Sequence, residues 1–170
     1  MRTLPALLLA VLPALPWALS ACGGSAEPQD LIEEGQAALS SGDYAAAGER
    51  FDEALAALEA AGETDGEIYV DAALGSIEAR IRTAPEQART DFLELVAGRP
   101  SALEPRDFSY VGNKFAGASR FSEAIDVLDA GMKAHAESPQ LKELQVSIKD
   151  RATKAGDQAA LDKMRGLGYL

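Results

Sequence analysis

The sequence predicts an all-α protein: an α-solenoid of three to four helical hairpins. Three observations carry this. Apolar residues make up 47% of the 170 but aromatics only 6%, with alanine supplying much of the apolar count, a balance that suits close-packed helices better than strands. Residues 42–55 read GDYAAAGERFDEAL, a turn signal followed by alanines and a phenylalanine at helical spacing. The pattern recurs, with turns expected near Gly42, Thr83, Ser119 and Gly156, at intervals of 41, 36 and 37 residues. Self-similarity at such a period indicates units that bury their apolar faces only by stacking on one another.

The first element precedes the repeats. Met1-Arg2 is a short positive start, and residues 4–19 are almost wholly apolar. That run is short for a membrane span of roughly 20 residues, and Pro5, Pro13 and Pro16 disfavour a continuous helix. It reads as a signal peptide over 1–21. Leu19-Ser20-Ala21-Cys22 resembles the lipobox of bacterial lipoproteins, where a leucine stands three residues before the modified cysteine. The resemblance implies a lipid thioether on Cys22, cleavage before it and acylation of its new amine. Several acyl chains on one residue give stable anchoring where one chain is marginal. Gly23-Gly24 in place of an aspartate implies, by the same resemblance, the periplasmic face of the outer membrane in a two-membrane bacterium. Residues 22–29 form a short tether of small and polar residues.

The helical repeat domain spans 30–166. Its first hairpin opens with Leu31-x-x-Glu34-Gly35, turns at Gly42-Asp43-Tyr44 and continues with Ala47-x-x-x-Phe51-x-x-Ala54. Gly42 suits the left-handed conformation that ends a helix, and Asp43 can cap the next one. Ala47 and Ala54 share a helical face, so a neighbouring helix can approach closely. Gly48 costs about 1 kcal/mol against alanine in a helix interior unless a tight crossing requires it. A second unit starts at Leu74-Gly75, turns at Ala84-Pro85 and runs through Ala88-x-x-x-Phe92. The third holds Phe108-x-x-Val111-Gly112-x-x-Phe115, then Phe121 and Ala124-x-x-x-Leu128. A fourth, weaker unit from Gln140 turns at Ala155-Gly156-Asp157 and reads as a capping pair. Phe51, Phe92 and Leu128 are expected between successive hairpins, and the tail 167–170 is expected to fold back on the last helix.

This spacing resembles the tetratricopeptide repeat: an aromatic, two residues, Leu-Gly, two residues, Tyr, then Ala, three residues and Phe, with a period of about 34 residues. The third unit keeps every spacing as far as Leu128. Glu34 departs from the expected leucine, and the second unit carries one extra residue between Gly75 and Ala88. The resemblance implies TPR-like hairpins and a groove lined by the first helix of each. One stripe of those helices would comprise Ile32, Gln36, Leu39, Ala72, Ser76, Arg80, Ser109, Asn113 and Ala116. The lysine and asparagine arrangement by which chaperone-binding members clamp a terminal carboxylate is missing, so that type of binding is not implied.

Reactive groups are sparse. The net charge of −11 argues against nucleic acid and anionic lipid as direct partners. Cys22 is the one cysteine and His135 the one histidine, which leaves no disulfide and no cysteine metal cluster. His135 reads as a capping or surface residue. No nucleophile elbow, Walker loop or dinucleotide fingerprint occurs. Residues 63–67 suggest calcium, but the EF-hand register would put Ala61 first and Ala72 last, where carboxylates are required. Neither an enzyme, a metal nor a cofactor is expected. The function these readings favour is a lipid-anchored envelope adaptor that holds an unidentified protein partner in its repeat groove. The alternative is a structural or solute-binding lipoprotein with a small ligand in that groove.

Overall fold

The computed structural model describes residues 27–170. The expected signal peptide, Cys22 and most of the expected tether lie outside the described residues. Those described form eight helices and no strand: α1 (Pro28–Ser41), α2 (Tyr44–Ala61), α3 (Glu67–Thr83), α4 (Pro85–Gly98), α5 (Pro105–Gly117), α6 (Phe121–Ala134), α7 (Pro139–Ala155) and α8 (Gln158–Gly166). The fold is all-α, a solenoid of four antiparallel hairpins. α1 starts two residues ahead of the expected boundary because Pro28 fits the first helical turn, where its missing N–H costs nothing.

All four hairpin turns fall where the sequence places them, through three kinds of chemistry. Gly42 (φ 82°) and Gly156 (φ 72°) take the left-handed conformation. In each case the following aspartate caps the next helix: Asp43 accepts from the Ala46 N–H at 3.1 Å, and Asp157 from the Ala160 N–H at 3.0 Å. The first and last hairpins therefore share one turn design. Between α3 and α4, Ala84 is held out of the helical region by Pro85. Between α5 and α6, Ser119 takes φ 59° without being a glycine, so this turn stores some strain.

The helices stack in two layers. α1, α3, α5 and α7 follow one another in the first, while in the second α4 packs on α6 and α6 on α8. The alanines and large residues singled out by the repeat fill the space between. Ala47, Ala54, Ala88, Ala124, Phe92 and Leu128 are fully buried, and Phe51 nearly so. Tyr44, the first residue of α2, is half-exposed, with the Arg82 guanidinium 5.8 Å from its ring centre.

Glycines in the first-layer helices admit large side chains from neighbouring helices. A Cβ on Gly35 would sit 2.9 Å from the Phe51 ring, one on Gly112 would sit 2.6 Å from Leu144, and one on Gly75 would overlap the Phe51 ring outright. Phe51 is thus gripped between two glycine notches, on α1 and α3. Gly48 differs: a Cβ there meets only the Ala79 methyl, at 3.7 Å, which is ordinary contact. No tight crossing accounts for it.

α2 stands apart from α4, and the interval is bridged by charge. Arg80 reaches Asp52 on α2 at 2.7 Å and Asp91 on α4 at 3.0 Å, while Ser76 donates to Asp52 at 2.7 Å. Further along this layer Asp126 accepts from Arg89 at 3.1 Å and Lys163 at 2.6 Å, joining α4, α6 and α8. The tail folds back, but its side-chain contacts are with α6 and α7 rather than with the last helix. Tyr169 donates its hydroxyl to Asp129 at 2.9 Å, and Gln145 donates to the Tyr169 carbonyl at 2.7 Å.

Candidate functional site

A groove runs along the first layer, with α3 as its floor and α1 and α5 as its walls. It holds a cavity of about 410 Å³. α1 presents Gln36 and Leu39; α3 presents Asp71, Leu74 and Glu78; α5 presents Arg106, Asp107 and Tyr110. The Phe51 ring reaches the floor from the second layer because Gly35 and Gly75 leave a slot for it. The volume lies within the range of sites that hold a peptide side chain or small ligand.

Glu78 of α3 joins the floor to the α5 wall. Its carboxylate accepts from the Tyr110 hydroxyl and pairs with the Lys114 ammonium. Burial, then the bond to Glu78, raises the Tyr110 hydroxyl well above its ordinary value, so it stays a neutral donor. The ring remains 43% exposed. Lys114 also lies 5.0 Å from the centre of that ring.

The other end of the groove is charged. A second cavity of about 270 Å³ shares Asp71, Arg106 and Asp107 with the first and adds Asp65, Glu67 and Glu104. Asp65 and Glu104 lie on the loops before α3 and α5, and Glu67 is the first residue of α3. Arg106 is divided among Glu104 at 3.3 Å, Asp107 at 3.7 Å and Glu67 at 4.0 Å. The Asp107 carboxylate also accepts the Glu104 N–H at 2.7 Å, which caps α5 and fixes this corner. Burial, followed by the charges of Glu67 and Asp107, raises the Asp71 carboxyl, with Arg106 working against them.

Of the nine residues expected on the groove stripe, Gln36 and Leu39 line it. Ile32, Ala72 and Ala116 are buried in the packing between helices. Ser76 and Arg80 face the second layer, in a separate cleft of about 290 Å³ with Tyr69, Asp91 and Arg99. Ser109 and Asn113 face α7: Ser109 donates to the Gln140 carbonyl at 3.3 Å, and Ser147 donates to Asn113 at 3.4 Å. The groove-lining positions on α3 and α5 are Asp71, Leu74, Glu78 and Arg106, Tyr110, Lys114. From Ala72 to Asp71 and from Ser109 to Tyr110 is one residue, or about 100° around a helix.

Both arginines of the cleft facing the second layer are already engaged. Arg80 is spent on Asp52 and Asp91, and Arg99 lies 4.2 Å from the Tyr69 ring centre while donating to the Thr64 carbonyl at 3.0 Å. That bond ties down the loop considered for calcium. Among the described residues no group of three or more His, Cys, Asp or Glu is placed to hold a metal ion. His135 ends α6: its Nε2 donates to the Leu103 carbonyl at 3.2 Å, and its ring meets Phe108 edge-on at 5.7 Å. No described helix is long and apolar enough to cross a membrane.

No protein-family model, curated protein or solved structure matches this chain.

Proposed function

We propose that this protein is a lipid-anchored, TPR-like adaptor of the cell envelope that docks a protein partner in the groove of α1, α3 and α5. The observation that carries the reading is that groove. It is an open trough in which Leu39 and Leu74 lie beside charged groups of α3 and α5, contributed by three successive hairpins rather than by one. A site of this form suits a chain segment lying across several repeats. The anchor rests on Leu19-Ser20-Ala21-Cys22 after an apolar leader. Anchoring on the periplasmic face of an outer membrane would raise the local concentration of the adaptor for an envelope partner.

Affinity capture from detergent-solubilised envelope tests this, comparing the full chain with Cys22→Ser and with Tyr110→Ala. The Cys22→Ser protein should leave the membrane fraction and recover less partner. Tyr110→Ala should stay in the membrane and lose the partner. Equal recovery by all three proteins, or an unmodified Cys22 by mass spectrometry of the mature N-terminus, contradicts the reading.

A further inference from the structure

The groove is asymmetric along its length, and the asymmetry specifies an occupant. Toward α1 it is apolar, with Leu39, Leu74 and the Phe51 ring facing the larger cavity. Toward the loops before α3 and α5 it is acidic. Asp65, Glu67, Asp71, Glu104 and Asp107 rim the smaller cavity, with Arg106 as its one cation. Arg106 is already shared among three of these carboxylates. Asp71 stands where the two cavities meet; its exposed carboxylate feels the charge of Arg106 but is not among that guanidinium's three ion-pair partners. The negative charge at this end is therefore not cancelled from within. An added cation gains attraction there, and an added anion is repelled.

Resting on the adaptor reading above, we propose that the groove binds a peptide segment carrying a bulky apolar side chain next to a lysine or arginine. The apolar side chain packs on half-buried Leu39, above the floor in which Leu74 and the Phe51 ring are already buried. The cation enters beside Asp71 and takes over part of the carboxylate contact that Arg106 now holds. Arg106 is then an internal competitor for the same acceptors, so its removal should tighten binding while removal of Asp71 weakens it.

Fluorescence anisotropy with the full chain in detergent micelles tests this. The probes are three short labelled peptides, acetylated and amidated, with the same two leucines and either arginine, glutamine or glutamate beside them. The arginine peptide should bind about tenfold more tightly than the other two. Asp71→Asn should weaken it about fivefold and leave the glutamine peptide unchanged, and Arg106→Gln should strengthen it a few-fold. Unchanged circular dichroism and melting of both variants separates these effects from misfolding. Equal or tighter binding of the glutamine or glutamate peptide overturns the charge preference and leaves the groove reading standing. So does an arginine peptide indifferent to both substitutions. Failure of all three peptides to bind overturns both.

Discussion

At the scale of single residues, the two glycines beside Phe51 carry opposite predictions to Gly48. Gly75→Ala puts a methyl into the Phe51 ring, and overpacking of this kind costs about 1–3 kcal/mol. Urea denaturation should show that loss, with partial recovery in the Gly75→Ala, Phe51→Leu double variant because the smaller side chain vacates the overlap. Gly48→Ala meets only an ordinary contact with Ala79. It should stabilise the protein by up to about 1 kcal/mol, the difference in helix propensity. Ser119→Gly should also stabilise, by about 0.5–1 kcal/mol, since it relieves a left-handed backbone that a side chain resists. These residues also mark how far the sequence could be read. Ala47, Ala88 and Ala124 were legible as buried positions because small residues recur there at fixed spacing. The purpose of Gly75 was not, since the ring that fills its notch comes from the preceding hairpin.

At the scale of helices, the turns were legible and the groove face was not, for a physical reason. A turn is written in local chemistry: Gly42-Asp43, Ala84-Pro85 and Gly156-Asp157 specify their backbone almost unaided. The face a helix turns to a groove depends on what packs around it. α3 is buried on several sides, with Ala72 and Ala79 in the core of the first hairpin and Ile77 and Ile81 in that of the later ones. A helix surrounded in this way has no single apolar stripe to fix its rotation, so an error of one residue moved the expected groove from Asp71 to Ala72. The acidic mouth was hidden for another reason: its carboxylates lie at the starts of two helices, α3 and α5, about forty residues apart. Arg80, expected in the groove, instead bridges α2 and α4. Arg80→Ala should cost about 2 kcal/mol through the loss of its charged hydrogen bonds, and hydrogen exchange should rise in α1 and α2 more than in α5 to α8.

The tail contact is also set at this scale, and its pH dependence has a definite sign. Burial works to raise the Asp129 carboxyl, but hydrogen bonds from Lys133 and Tyr169, with Lys163 nearby, hold it below its usual 3.8. Its contribution is therefore complete above pH 3.8 and fades as the pH falls further. Burial first, and then the bond to Asp129, push the Tyr169 hydroxyl up from 10.0 to about 12. That contribution is complete below pH 10 and fades as the pH climbs toward 12. The NMR resonances of the Tyr169 ring should titrate near pH 12, and Asp129→Asn should bring them down toward the ordinary tyrosine value. A Tyr169 that titrates at pH 10 in the unaltered protein would mean that the tail is not held there.

At the scale of the whole molecule, the division of labour is between two layers. The second layer is tied together by ion pairs that run from Asp52 through Arg80 to Asp91, and from Arg89 through Asp126 to Lys163. The first layer keeps a trough with exposed Tyr110, the Phe51 ring at its floor and a surplus of carboxylates at its mouth. On the proposed function, recognition uses the first layer. Photo-crosslinking measures this most directly. A photoreactive residue is placed at Tyr110, in the groove, or at Glu94, in the cleft of the second layer, and the full chain is irradiated in intact cell envelope. Recognition in the groove should give a discrete adduct from Tyr110 that is lost with Leu39→Glu, and none from Glu94. An adduct from Glu94 with none from Tyr110 would contradict it.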